Sequence, residues 1–281
     1  MKFGIALSTL HPGLHLDVTL EAERLGFESV WLAEHLVFPV DLSGSPHPGA
    51  DAPPVPPATP VYDAFAYLCF LAARTSTIRL GTNVYLLGLR HPFAAARSIQ
   101  TLDVLSGGRA EVGVGAGWLR SEWTAAGLDP RTRGRRLDEA LAVCKRLWSE
   151  PVVEHRGEFY EFAPVMFEPK PIQQPWPKIH VGGESPAALR RAATHGDGWF
   201  GLVHTPESAR ERVAELRRLC AAAGRTDAAI EVTLSVTPND RDEVSRFAAA
   251  GVDRLVVSPW RRSRECIDAV RGFAATVLGT N

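Results

Sequence analysis

Several features that would settle a protein's class at once are missing from this chain of 281 residues. Its four cysteines, Cys69, Cys144, Cys220 and Cys266, lie far apart with no C-x-x-C pair, so neither a disulfide framework nor a thiolate zinc site is expected and all four read as buried free thiols. The nine histidines show no H-x-H or H-E-x-x-H spacing, which removes the common metal-site motifs. No apolar run approaches a membrane span, and the one near the start, residues 3–7, is far too short for a signal-peptide core, so a cytoplasmic protein is expected. A dominant charge is missing too. With 31 basic and 32 acidic side chains the net charge is −1, and no global field favours nucleic acid or an anionic membrane as partner.

What is present is an ordinary globular composition, 45% hydrophobic and 22% charged. Apolar and β-branched runs at residues 2–7, 28–33, 78–86, 110–116, 178–182, 198–203, 230–236 and 254–258 predict eight strands. Between and after them, helical spacing predicts helices at 14–25, 62–74, 92–105, 133–148, 186–195, 206–223, 240–250 and 263–277. Strict strand–helix alternation over this length predicts an α/β fold, a single (β/α)₈ TIM barrel spanning residues 1–281. Two insertions interrupt it. Residues 36–60, after the second strand, hold eight prolines and no period, as in a lid or binding loop. Residues 150–177, after the fourth strand, are irregular and aromatic, with a short hairpin expected around 159–162. A doubly wound open sheet is the rival, but Ser8-Thr9-Leu10 stands where its nucleotide-binding turn would follow the first strand.

A barrel displays its reactive groups at the C-terminal ends of its strands, which directs attention to a few positions. Gly113, Gly115 and Gly117 remove three side chains from one face of the fourth strand, as a floor for a flat ligand would require. They make at best a weak dinucleotide fingerprint, because Trp118 stands where the third glycine of that motif belongs and the motif usually follows the first strand. Taken alone, these glycines fit close packing inside a barrel better than a ligand. Glu34-His35 ends the second strand, where an imidazole can move a proton near neutral pH; an ordinary loop-start histidine is an equal reading until position tips the balance toward chemistry. Gly182-Gly183-Glu184-Ser185-Pro186 places a good N-cap and a first-turn proline after two glycines, which would let an anion approach a helix N-terminus. A plain cap explains the same residues, and Glu184 argues mildly against an anion.

Four ordered stretches carry a resemblance that covers nearly the whole chain. They are Phe27-Glu28-Ser29-Val30-Trp31-Leu32-Ala33-Glu34-His35; Arg79-Leu80-Gly81-Thr82-Asn83-Val84; Leu105-Ser106-Gly107-Gly108-Arg109 with Gly113-Val114-Gly115-Ala116-Gly117-Trp118; and Val181-Gly182-Gly183-Glu184-Ser185 with Gly196-Asp197-Gly198-Trp199. Together they resemble the bacterial luciferase-like monooxygenase superfamily, and most of all its deazaflavin (coenzyme F420)-dependent oxidoreductases. The resemblance implies a (β/α)₈ barrel that binds a flavin or deazaflavin at its C-terminal mouth, as a homodimer.

Carried over position by position, it implies a bulge with a non-prolyl cis peptide at Asn83-Val84 behind the tricyclic ring. Gly115, Ala116 and Gly117 would run along the ring or ribityl chain, and Gly182, Gly183 and Ser185 would hold the phosphate. Ser8, Trp118 and Glu184 are counted with the cofactor-binding set by their places at the same strand ends. Glu34 and His35 would be the acid–histidine pair at the reactive edge. The expected activity is hydride transfer between coenzyme F420 and a small organic substrate, with His35 as proton donor or acceptor. The alternative is an FMN-dependent monooxygenase fed by a separate reductase, and a non-enzymatic flavin-binding protein stands last because the mouth keeps His35. Trp118 occupies the place where the family's sugar-phosphate dehydrogenases have a glutamate, so glucose-6-phosphate oxidation is not expected.

Overall fold

The computed structural model describes residues 1–8, 10–42, 56–225 and 230–279. Strands β1 (Lys2–Ala6), β2 (Ser29–Leu32), β3 (Arg79–Thr82) and β4 (Ala110–Val114) are followed by a hairpin of β5 (Val153–Arg156) and β6 (Glu161–Val165), and then by β7 (Ile179–Gly182), β8 (Gly198–Gly201), β9 (Glu231–Ser235) and β10 (Arg254–Val257). All but the hairpin close into one parallel barrel in the order β1-β10-β9-β8-β7-β4-β3-β2. The (β/α)₈ barrel expected from the alternation is therefore the fold. The helices are α1 (His15–Arg24), α2 (Ala64–Ala72), α3 (Pro92–Leu105), α4 (Arg120–Ala125), α5 (Arg133–Ser149), α6 (Pro186–His195), α7 (Pro206–Ala222), α8 (Arg241–Ala249) and α9 (Cys266–Phe273).

Side chains start several of these helices. Asp63, Ser185, Thr205 and Asp240 each accept a backbone N–H from the first turn, satisfying a donor that has no partner within the helix. The hairpin expected around 159–162 is present, with its turn after Arg156 and Phe162 in β6. The closing helix is less regular than its spacing suggests: a 3₁₀ turn at Ser263–Glu265 precedes α9, and a π turn at Ala274–Leu278 ends it. α4 has no counterpart in the sequence reading. Of the cysteines, Cys144, Cys220 and Cys266 are buried, but Cys69 is only half-buried, and all four are free thiols. The first insertion reaches into residues 43–55, which lie outside the described residues.

Strand alternation divides the interior into two compartments. Outward residues such as Ile5, Val30, Leu80, Val112, Val181, Leu234 and Leu255 pack against the helices in the main apolar core. Inward residues are different. Trp31, Phe200, Ala6 and Val256 form a small separate cluster, and Trp31 fits only because Gly4 and Gly81 leave it room; a Cβ on Gly81 would stand 2.5 Å from the indole. Nearer the N-terminal end the barrel is filled by ions. Glu111 pairs with Arg79 and, at 2.5 Å, with His180 Nε2, while Arg254 reaches Glu28 at 2.8 Å and Glu231 at 2.7 Å. This charged plug fills the barrel floor.

Candidate active site

At the opposite end of the barrel a cavity of about 850 Å³ opens among the loops that follow β1, β2, β3, β4, β7 and β8. Its volume suits a cofactor with a substrate beside it. Ser8, Glu34, His35, Asn83, Val84, Gly115, Ala116, Gly117, Trp118, Gly182, Gly183, Glu184 and Ser185 all line it. Thus these thirteen candidate residues converge on one site, although the four stretches are spread over most of the chain, while Gly113 does not line it.

One wall is a bulge in the third strand. Asn83 N–H still donates to Leu32 O at 2.9 Å, the Asn83–Val84 peptide is cis, and Tyr85 N–H then rejoins the sheet at Gly113 O, 2.7 Å away. Val84 is pushed out of the ladder into the cavity wall. It seats between Gly115 and Gly182, where added Cβ atoms would meet its methyl groups at 2.5 and 2.6 Å. Gly113 has another duty, because a Cβ there would stand 1.8 Å from Thr82 O. The glycine face of the fourth strand is therefore not a bare floor as its alternation suggested: Gly113 and Gly115 make room for the bulge, and Val84 presents itself to a ligand instead. Ser8 fixes the neighbouring side chain, its hydroxyl lying 3.1 Å from Asn83 Oδ1 while it accepts Ala33 N–H at 3.2 Å.

The histidine is partnered differently from expectation. Glu34 is buried, accepts Leu86 N–H at 2.9 Å and pairs with Arg90 at 2.5 Å, so its carboxylate faces the third-strand loop and not His35. Consecutive residues at a strand end point to opposite sides, which is why the two adjacent side chains separate. Burial pushes the Glu34 carboxyl up against the pull of Arg90. The acid that meets His35 is Glu122, whose Oε2 lies 2.9 Å from His35 Nδ1 and whose side chain is 1% exposed. Glu122 comes from α4. Its neighbour Trp123, fully buried against Leu86 and Leu89 and lying close over Gly88, holds that short helix on the loop after β3. The His35 ring is flanked by Phe38 at 4.4 Å and, edge to face, by Trp118 at 5.8 Å between ring centroids.

The other end of the cavity is suited to anions. Ser185 caps α6 by accepting Ala188 N–H at 3.2 Å. Gly183 N–H itself donates to Phe200 O at 3.3 Å, and its φ of +121° turns the chain there. Glu184 is drawn away by Leu202 N–H at 2.7 Å and by His204 at 3.1 Å, which removes it as an objection to a neighbouring anion. Three guanidinium groups that the sequence reading passed over, Arg120, Arg133 and Arg191, also line the cavity. Burial and then repulsion from Arg120 and Arg191 press the Arg133 group downward, as expected for cations crowded together. The signal was there to read: Arg133, Arg135 and Arg136 open α5 at the positive end of its dipole, where basic residues are disfavoured unless an anion compensates.

The sequence model of the luciferase-like monooxygenases matches residues 1–253. The chain belongs to the luciferase-like monooxygenase family. Among its luciferase-like relatives, an uncharacterized protein of Mycobacterium tuberculosis is 33% identical over 269 residues, 94% of each chain. An F420-dependent glucose-6-phosphate dehydrogenase of Kineococcus radiotolerans is 33% identical over 234 residues, covering 80% of this chain and 63% of that enzyme. Among solved structures, the monooxygenase RslO1 of Streptomyces bottropensis superposes with a TM-score of 0.76 at 25% identity, over 99% of both chains. Among the described residues, no helix is long and apolar enough to cross a membrane and no cluster of His, Cys, Asp or Glu has a metal-holding arrangement.

Proposed function

We propose that this luciferase-like protein is an F420-dependent oxidoreductase acting on a small, uncharged organic substrate, with His35 moving the proton. The observation that carries the reading is the polarity of this cavity: a half-buried histidine held by a buried carboxylate on one side, and a helix N-terminus and three guanidinium groups also lining it. The residues fit a phosphate-bearing tricyclic cofactor. Val84, Ala116 and Gly117 offer an apolar wall for the ring, and the first turn of α6 with Arg133 and Arg191 would hold the phosphate. When bound, such a cofactor supplies or accepts a hydride. The chain's own part is to bind it, to exclude water with Phe38, Pro60 and Tyr62, and to take or return at His35 the proton that accompanies the hydride.

Two features favour an uncharged substrate. Position 118, edge to face with His35, carries an indole and no carboxylate, and residues 36–60 contain neither lysine nor arginine to meet a substrate phosphate. The similarity to an F420-dependent enzyme over 80% of the chain supports F420 as the cofactor. The rival is an FMN-dependent monooxygenase; the likeness to the monooxygenase RslO1 over 99% of the chain supports the monooxygenase part of that reading. Titrating the purified protein side by side with F420 and FMN separates them. Tighter binding of F420 is expected; tight FMN binding with none of F420 would transfer the activity to the monooxygenase reading. On either outcome the protein would act as a homodimer, which sedimentation at micromolar concentration tests.

A further inference from the structure

We propose that Glu122 is a positioning residue that holds the neutral His35 ring as its Nδ1–H tautomer, leaving the Nε2 lone pair as the only site on the ring that can exchange a proton with the cavity. The inference rests on the functional reading above only for what that proton is used for; the tautomer itself is a property of the free protein. Glu122 stands 87 residues from His35 in sequence and does not follow from any of the four stretches that define the site.

The geometry leaves the carboxylate little choice. Its Oε1 accepts Leu36 N–H at 2.6 Å and Val37 N–H at 3.3 Å, so that oxygen is committed to the backbone directly after His35. The other oxygen, Oε2, faces Nδ1 at 2.9 Å. A carboxylate is acceptor-only, so a neutral ring meets it best with the proton on Nδ1. The tautomer of a histidine is set by the bond its other nitrogen makes. When Nε2 takes a proton, the imidazolium formed is balanced by the same carboxylate; when it gives one up, the ring returns to Nδ1–H. The proton enters and leaves at Nε2 alone, and no charge is stranded. Because Leu36 and Val37 begin the 36–60 insertion, one side chain fixes both the ring and the root of that segment.

Glu122→Gln tests this with nearly unchanged shape. Two backbone donors hold the amide oxygen at Leu36 and Val37, which turns the amide NH₂ toward Nδ1. The ring must then accept there and carry its proton on Nε2, so it can no longer serve as a base from the cavity side. The readout is nitrogen NMR of the full-length protein, without cofactor, labelled with [¹⁵N]histidine and with the His35 signals assigned by their loss in His35→Ala. Wild type is expected to show Nδ1 as the protonated nitrogen of the neutral ring, and Glu122→Gln to show Nε2. Glu122→Asp, which keeps an acceptor, is expected to keep the wild-type tautomer. Turnover in Glu122→Gln should fall by about 10²–10⁴-fold, with F420 affinity within a few-fold of wild type. A wild-type ring protonated at Nε2 overturns the proposal whether or not the variant folds, as does a Glu122→Gln ring that keeps its proton on Nδ1. If the tautomer switches but F420 supports no reaction, the proposed activity fails while this inference stands.

Discussion

Arg90→Ala offers the sharpest test of how the site is held. Arg90 is the only cation paired with Glu34 among the described residues, at 2.5 Å, and the Glu34 side chain is fully buried. Removing the guanidinium leaves a carboxylate in the interior with the Leu86 N–H as its remaining donor. Breaking a buried pair from one side costs about 3–5 kcal/mol, because the surviving charge keeps its desolvation penalty without its partner. The cation also lies 4.6 Å from the centre of the Tyr85 ring, and losing that contact adds little by comparison. Such a loss should lower Tm by roughly 6–20 °C at the usual 2–4 °C per kcal/mol for a chain of this size class.

The sign of the pH dependence is fixed by the same physics. Burial already raises the Glu34 carboxyl above its ordinary range, and without Arg90 it must rise further. A group raised in the folded state contributes stability that is present below its unfolded pKa and lost as pH rises through its folded one. The Arg90→Ala deficit should therefore be smaller at about pH 5 than at about pH 8. Adding Glu34→Gln should recover most of the loss, since no charge is then left alone. Urea denaturation followed by circular dichroism at the two pH values measures all three quantities. A loss below about 1 kcal/mol, a deficit independent of pH, or a double variant as weak as the single one would refute the argument.

His35→Ala should lower turnover by about 10²–10⁴-fold while F420 affinity stays within a few-fold, as read by steady-state kinetics and fluorescence titration; near-normal turnover would leave His35 a packing residue. Gly183→Asp, at a φ of +121°, and Ser185→Pro, which removes the α6 cap, should each weaken F420 binding with the barrel intact by circular dichroism, and unchanged affinity in both would make that turn purely structural. In the barrel floor, burial raises the Glu111 carboxyl but is outweighed by the His180 bond, the His180 charge, Arg254 and Arg79, which hold it well below the usual carboxylate range. Its stabilising share is present above the unfolded value near 4.5 and is lost as pH falls through the folded one, so Glu111→Gln should be clearly less stable than wild type at neutral pH and approach it in acid melts.

The sequence by itself pointed to the barrel, because eight strands alternating with helices of period 3.6 leave few ways to bury both kinds of apolar face and Ser8-Thr9-Leu10 disfavours the open sheet. It placed α6 at Pro186–His195, where Ser185 and Pro186 mark the start locally. Motif resemblance and position at strand ends together picked out thirteen candidate residues that line one cavity, and the resemblance put a cis peptide at Asn83–Val84. Partnerships were a different matter. Adjacent Glu34 and His35 suggested a pair, yet the pleat sends them apart, and only packing of Trp123 in α4 delivers Glu122 to the ring. Gly113 read as ligand floor, but its missing side chain accommodates Thr82 O from a strand paired alongside. Arg120, Arg133 and Arg191 gather from three separate segments, and the ionic plug of Glu111, His180 and Arg254 joins three strands. Local pattern fixes which face a residue takes; which distant side chain it meets depends on how the barrel closes and where its loops are pinned.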